Sequence, residues 1–240
     1  MKLFCFAHAG GTAASFGGLA RRVRGCSLVP VERPGHGFRA KEALMASIQD
    51  YARDALDQIA GQLDGPFGLM GHSMGAWVAY EVATLLSSGH LPDPSVLVVS
   101  GNVVPAGTCG AASENLDDDA FLDSMSGYVS MPAEVLHRPE LREVFFTPLR
   151  SDFVVVQRYS RAHHQILECP IVALFGADDP LTCGQGHEWS RLTTRQYEEH
   201  IFRGGHFFLF EDADVPKVLT QLVDRSTVLS HGTEEELWNR

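Results

Sequence analysis

Residues 67–77 read Phe67-Gly68-Leu69-Met70-Gly71-His72-Ser73-Met74-Gly75-Ala76-Trp77, and this stretch decides the fold. Its first four residues form a short apolar run bounded by turn formers, the signature of a strand buried on both faces. Its last four open an apolar pattern over 74–88, rich in Ala, Val and Leu and stopped by Gly89 as a helix is stopped. Between strand and helix stands Gly71-His72-Ser73-Met74-Gly75, a G-x-S-x-G pattern. In that context it predicts a nucleophile elbow. A serine on so sharp a strand-to-helix turn projects its Oγ out of the sheet. Flanking glycines remove side chains where strand and helix pass closely. The helix N-terminus beside the hydroxyl favours developing negative charge.

Outward from the elbow, similar apolar runs recur at 3–6, 28–31, 96–100 and 171–175, with a weaker, mixed one at 196–202. Helical patterns separate them. Ile48, Tyr51, Ala52, Ala55, Leu56, Ile59 and Leu63 recur at three- and four-residue spacing, one face of a helix. A last helix is expected over 215–223. Strands alternating with helices predict an α/β fold, with a mostly parallel sheet of about six to seven strands flanked by helices. One interval breaks the rhythm. About seventy residues separate Ser100 from Ile171, too long and too apolar for a plain loop. Helical patterns at 120–128, 133–136, 141–146 and 149–159 predict an inserted helical lid, approximately 102–165, within a single domain over 1–240. The acidic tail from Thr227 is expected to be loosely ordered.

Composition excludes several classes. The 240 residues are 45% hydrophobic and 20% charged with a net charge of −11, which suits a globular protein with its own core and argues against disorder. Nucleic-acid binding wants a surplus of Lys and Arg, so none is expected. No stretch approaches the ~20 apolar residues of a membrane span, and the apolar start before His8 is too short for a signal-peptide core. The cysteines (Cys5, Cys26, Cys109, Cys169, Cys183) are an odd, scattered set, read as free thiols in a reducing cytoplasm. His163-His164 has no second pair of ligands at metal spacing, so no metal and no cofactor are expected. Asp117-Asp118-Asp119 reads as a helix start in the lid. Monomer is the default.

A serine hydroxyl needs a general base, itself oriented by a third group. With this elbow the partners follow in the order Ser, acid, His. His206 stands in Arg203-Gly204-Gly205-His206-Phe207-Phe208, directly after the last strand, where two glycines let the loop fold back toward the elbow. It is the expected base. The acid belongs at the end of the preceding strand, where Gly176-Ala177-Asp178-Asp179-Pro180 offers two carboxylates. Asp179 is favoured, because hydrolases of this kind commonly carry G-x-x-D at that turn; Asp178 is the alternative. Acyl transfer also needs two N–H donors for the oxyanion. Met74 follows the nucleophile and supplies one. The glycine-rich loop Ala7-His8-Ala9-Gly10-Gly11 supplies the other, from Ala9 or alternatively Gly10. Arg33-Pro34-Gly35-His36-Gly37, at the same edge, reads equally as a plain turn or as a substrate-side element.

With these pieces in order, the chain resembles the type II thioesterases that accompany modular polyketide and nonribosomal peptide synthetases, enzymes of the α/β-hydrolase superfamily. The resemblance rests on 3–11, 33–37 and 71–76, then on Leu149-Arg150-Ser151-Asp152-Phe153, Cys169-Pro170-Ile171 and Gly204-Gly205-His206-Phe207-Phe208. The family usually has Pro where Ala7 stands, and Pro-Gly-Arg-Gly where this chain has Pro34-Gly35-His36-Gly37. The resemblance implies an α/β-hydrolase fold. It also implies hydrolysis of acyl thioesters on the phosphopantetheine arm of an acyl- or peptidyl-carrier protein, by way of an acyl-serine, to edit misprimed or stalled chains. A carboxylesterase, an acyltransferase or a non-catalytic binding module on the same scaffold are the rival readings. The apolar lid residues Phe121, Met125, Tyr128, Met131, Phe145, Phe146 and Phe153 suit an acyl pocket or plain packing.

The net charge is unevenly spread. Residues 1–41 hold Lys2, Arg21, Arg22, Arg24, Arg33, Arg39 and Lys41 against Glu32 alone. Carrier proteins are typically acidic, so this basic region, Arg21 and Arg22 above all, is an expected docking face.

Overall fold

The computed structural model describes residues 1–104, 117, 120–121, 139–160, 164–182 and 186–229. Six strands form one sheet: β1 (Lys2–Phe6), β2 (Ser27–Pro30), β3 (Phe67–His72), β4 (Val96–Ser100), β5 (Ile171–Gly176) and β6 (Tyr197–Phe202). Their order is β2-β1-β3-β4-β5-β6, and every pairing is parallel. The helices are α1 (Gly17–Ala20), α2 (Ile48–Ile59), α3 (Met74–Ser88), α4 (Pro139–Arg158), α5 (Phe208–Glu211) and α6 (Val215–Leu229). All six expected strands form within a residue or two of their expected ends.

The apolar runs lack alternation because both faces of the sheet are covered. Phe4, Phe6, Leu69, Leu97, Val99, Ile171 and Ala173 point into a core shared with α2 and α3. Leu3, Cys5, Met70, Val96, Val98, Val172 and Leu174 point into the opposite core, with residues of α1 and α6. Helix α2 starts where Ser47 accepts the Asp50 N–H at 3.1 Å, an N-cap bond. It buries Ile48, Tyr51, Ala52, Ala55 and Ile59, most of its expected face.

The insertion between β4 and β5 differs from its expected segmentation. Separate helices over 141–146 and 149–159 are in fact one helix, α4, running through Pro148. Proline there removes one ladder donor, so the end of α4 is held by tertiary contacts. Tyr159, just past it, donates its hydroxyl to Glu81 at 2.7 Å and packs its ring 5.1 Å from that of Trp77. Asp117 accepts the Ala120 N–H at 2.8 Å, as a helix-start carboxylate should. The expected helix over 120–128 is described only at 120–121, where the chain is helical; its remainder and the expected helix over 133–136 lie outside the described residues, as do Cys109, Met125, Tyr128, Met131, His163 and Cys183. The last helix is longer than expected and runs through Thr227 to Leu229. Among the described residues no helix is long and apolar enough to cross a membrane.

The sheet order places the site. From β1 the chain crosses to β2 on one side and later returns to β3 on the other. The carboxyl ends of β1 and β3 therefore flank a topological switch point, where open α/β sheets bind ligands. Closeness there is built into the backbone: a Cβ on Gly71 would lie 1.9 Å from the Gly75 carbonyl oxygen, and one on Gly75 would lie 2.1 Å from the Phe6 carbonyl oxygen. Gly75→Ala should therefore lower stability by at least the roughly 1–3 kcal/mol typical of overpacking, seen as a fall in the urea-unfolding midpoint. Gly18→Ala, where nothing lies within 4 Å of the new methyl, should leave the midpoint nearly unchanged.

Candidate active site

Ser73 sits between β3 and α3 with φ 55° and ψ −123°, one of two non-glycine residues with positive φ among those described. This conformation costs about 1–3 kcal/mol and persists only where the surroundings over-determine it. Here the constraints are visible. The Ser73 N–H donates to the Ser100 carbonyl at 2.7 Å, and Asn102 Nδ2 donates to the Ser73 carbonyl at 2.6 Å. Asn102 Oδ1 in turn accepts the Val103 N–H at 2.9 Å. Asn102 went unnoticed in the sequence. Its one signal there is its place at the end of β4, the neighbour of β3.

The two candidate acids separate clearly. Asp179 is buried and Asp178 exposed. The Asp179 N–H donates to the Gly176 carbonyl at 3.1 Å, closing the turn that the G-x-x-D pattern implied. Its Oδ1 accepts the Leu181 N–H at 3.0 Å, and its Oδ2 lies 2.9 Å from His206 Nδ1. The carboxylate is thereby aimed, and it orients the imidazole through Nδ1. Gly176 also admits the returning loop closely: a Cβ there would lie 2.4 Å from the Gly205 carbonyl oxygen. The His206 ring lies 5.1 Å from the ring of His72, which immediately precedes Ser73.

The oxyanion candidates also separate. The Gly10 N–H is engaged, donating to Asp152 Oδ2 at 2.8 Å. The Ala9 N–H has no hydrogen-bond partner among the described residues. Met74 is the first residue of α3, so its N–H has no carbonyl one turn earlier.

Sequence reasoning missed what lies beneath this loop. Asp152 of α4 is fully buried (0% exposed) and accepts from Gly10, from Arg33 Nη2 at 2.9 Å, from His36 Nε2 at 3.0 Å and from the Tyr51 hydroxyl at 3.0 Å. Burial opposes its ionisation, but the Arg33 guanidinium, the His36 bond and the Gly10 N–H outweigh that and hold the carboxyl below its ordinary range. Burial, and then the Asp152 charge, push the Tyr51 hydroxyl up. The Arg33 and His36 side chains of this turn thus form an internal brace. The residue that departs from the usual Pro-Gly-Arg-Gly, His36, spends its imidazole on Asp152. The signal was Asp152 within Leu149-Arg150-Ser151-Asp152-Phe153, whose partners are scattered along the chain. Arg22, expected on a docking face, is exposed and donates to the Phe210 and Asp212 carbonyls at 2.7 and 3.3 Å, which also braces the segment after His206.

Two further imidazoles back the site. His72 is fully buried, with Nδ1 3.0 Å from Ser100 Oγ and Nε2 without a partner. Burial, then the positive charges His206 and His8 could carry, push its pKa well below the usual range. His8 is pushed down to about 4 by burial and by Arg33. Among the described residues no group of three or more His, Cys, Asp or Glu side chains could hold a metal.

The thioesterase domain family is matched over residues 1–225, and the chain belongs to it: it is a serine hydrolase of the α/β-hydrolase fold that acts as a thioesterase. Within that family it stands with the type II thioesterases of nonribosomal peptide and polyketide biosynthesis. It is 30% identical to the gramicidin S biosynthesis protein GrsT of Aneurinibacillus migulanus, across 88% of this chain and 84% of that protein. It is also 30% identical to thioesterase PikA5 of Streptomyces venezuelae, across 87% of this chain and 75% of that one. Among solved structures it is similar to the RedJ thioesterase of prodiginine biosynthesis in Streptomyces coelicolor, with TM-score 0.82, 30% identity and coverage of 93% and 84%. The type II thioesterase BorB of the borrelidin cluster aligns with TM-score 0.82, 28% identity and 92% coverage of both chains.

These two imidazoles predict a pH dependence. Both His8 and His72 bind protons more weakly in the folded chain than in the unfolded one, whose histidines titrate near 6.5. The stability they contribute is complete above about pH 6.5 and is lost as pH falls below it, down to about 4 for His8. The limiting slope is about 1.4 kcal/mol per pH unit per group. Urea unfolding between pH 7 and 4.5 should show this decline, and His8→Gln should make it shallower. An unchanged slope in His8→Gln would contradict the assignment.

Proposed function

We propose that this thioesterase edits carrier proteins, hydrolysing acyl groups from their phosphopantetheine arms through an acyl-serine on Ser73. The single observation that carries the triad is the buried bond of 2.9 Å between His206 Nδ1 and Asp179 Oδ2, at the strand edge where the Ser73 turn is held. In this reading His206 Nε2 takes the proton of Ser73 Oγ as the oxygen attacks the thioester carbonyl. Asp179 keeps the imidazole in the required tautomer and stabilises it once protonated. The Met74 and Ala9 N–H groups receive the oxyanion; the engagement of Gly10 with Asp152 favours Ala9 over its neighbour. The pantetheine thiol leaves with the proton from His206. Water, deprotonated by the same imidazole, then attacks the acyl-serine, and His206 returns that proton to Ser73 Oγ as its bond to the acyl carbon breaks and the acid departs.

Several further features agree with this reading. Described residues of the insertion, Phe121, Phe146, Phe153 and Val155, supply apolar surface above the sheet that suits a lid over an acyl chain. Cys5, Cys26 and Cys169 are free thiols, which fits a cytoplasmic enzyme working beside its synthetase. GrsT is named for gramicidin S biosynthesis, and BorB for the borrelidin biosynthetic cluster.

Kinetics on an acylated carrier protein, an acyl-CoA and a p-nitrophenyl ester test the reading. Ser73→Ala should abolish turnover of all three. Asp179→Asn should lower kcat by about 10⁴-fold, the loss seen when a triad acid no longer fixes the imidazole tautomer. Asp178→Asn should stay within about threefold of the parent, as expected of an exposed side chain away from the reacting atoms. A clear preference for the oxygen ester over the acylated carrier would make the enzyme a carboxylesterase instead.

A further inference from the structure

We propose that Asp152 is a positioning residue for acyl transfer, through which helix α4 of the insertion aims the Ala9 N–H at the oxyanion. The inference rests on the reading of Ala9 as an oxyanion donor and concerns what orients it.

The argument starts from the rigidity of the peptide unit. In a trans peptide the C=O of one residue and the N–H of the next are coplanar and opposed. Fixing the His8 carbonyl therefore fixes the direction of the Ala9 N–H. That carbonyl accepts from Arg33 Nη2 at 3.1 Å and from the Gly11 N–H at 2.9 Å. The same guanidinium also donates to the Ala7 carbonyl at 3.2 Å and the Gly11 carbonyl at 2.9 Å, so it grips the loop on both sides of Ala9. The next peptide unit is held from α4, where Asp152 Oδ2 accepts the Gly10 N–H at 2.8 Å. Asp152 also anchors Arg33 itself, at 2.9 Å. Both peptide planes that meet at Ala9 are thus fixed, one through Arg33 and one directly, by a single carboxylate.

That carboxylate belongs to the insertion, and the insertion also covers the loop. Leu149 stands one turn before Asp152 on the same helix. Its Cδ1 is so close to Gly10 that a Cβ there would lie 2.6 Å away, and Gly10 has a φ of +70°. Gly10 is thereby required as glycine both by its conformation and by the helix above it. With α4 seated, the loop has its charge partner and its cover; with α4 displaced it has neither. Seating of the insertion and readiness of the oxyanion donors are then one equilibrium, linked by Asp152.

The test uses the full chain and separates orientation from folding and from substrate binding. Asp152→Asn keeps the side-chain shape but loses the charge that holds Arg33. For the folded variant, checked by circular dichroism, kcat on an acyl thioester should fall by about 10- to 100-fold, somewhat less than the loss of a whole oxyanion donor. KM should stay within about threefold. Affinity for an alkylboronic acid, whose tetrahedral serine adduct carries an anionic oxygen, should fall by a similar factor. Affinity for a non-hydrolysable thioether analogue, which places no anion there, should hold. Tyr159→Phe removes a buried bond from the end of the same helix without touching the loop, and should leave kcat and boronate affinity within about threefold. If Asp152→Asn does not fold, Arg33→Lys carries the same readouts, because lysine keeps a charge for Asp152 but cannot span the His8 and Gly11 carbonyls. Unchanged kcat and boronate affinity in a folded variant would overturn the proposal, as would parallel losses of boronate and thioether affinity. An active Ser73→Ala enzyme would instead overturn the serine mechanism, leaving the grip on the loop as a structural fact.

Discussion

The rest of the site depends on one backbone constraint, the turn at Ser73. A non-glycine residue at φ 55° is held there by a donated N–H to β4 and an accepted bond from Asn102. The turn is sharp because Gly71 faces the Gly75 carbonyl, and deep because Gly75 faces the carbonyl at the end of β1. These contacts fix α3 against β1 and β3, and with it the first-turn N–H of Met74. They also fix the distance from the nucleophile to the loop after β1, where Ala9 lies. Geometry at Ser73 thus propagates to both oxyanion candidates through main chain alone, before any side chain is considered.

Most of this was legible in sequence where it is local. The elbow announces itself because its strand, glycines, serine and helix are contiguous. The four inner strands are readable because each buries both faces, so each run is apolar almost without a break, whereas the edge strand β6 is partly exposed and its run is mixed. The pairing of Asp179 rather than Asp178 with His206 is local in the same sense, since a four-residue turn from Gly176 presents Asp179. The brace under the oxyanion loop was not readable. Its donors come from Gly10, Arg33, His36 and Tyr51 and its acceptor from Asp152, and no periodicity connects a loop glycine to a helix carboxylate 142 residues later. Asn102 was missed because an asparagine after a strand is usually a turn former. The continuity of α4 through Pro148 was missed because local propensity argues for a break, and tertiary packing wins.

Electrostatics explains why several titratable groups can crowd this edge. His8, His72 and His206 lie in a row, with neighbouring rings 5.9 and 5.1 Å apart. Three protonated imidazoles at such distances would repel strongly in a medium that screens poorly. Burial pushes both His72 and His8 toward the neutral form. The imidazole beside Asp179 therefore faces neighbours of its own kind that favour the neutral form. Phe207 and Phe210 pack on both His8 and His72 and surround them with apolar rings.

The two buried carboxylates divide the remaining work by the charge of their partners. Asp152 faces Arg33, which is always charged, so its negative charge is balanced at all times and it can serve as a fixed anchor. Breaking such a pair leaves an uncompensated buried ion, which costs about 3–5 kcal/mol. Asp179 has no Lys or Arg partner among the described residues; its ion pair is with His206 alone. Its charge is therefore balanced only when that imidazole is protonated. A carboxylate arranged in this way stabilises the state in which the proton has left the serine more than the state before it. Stabilisation of one state over another is what accelerates a reaction. A permanent cation beside Asp179 would have cancelled that difference in advance. The same residue type thus acts as a static brace at one end of the oxyanion loop and as a charge-responsive partner at the base, and the neighbouring cation decides which.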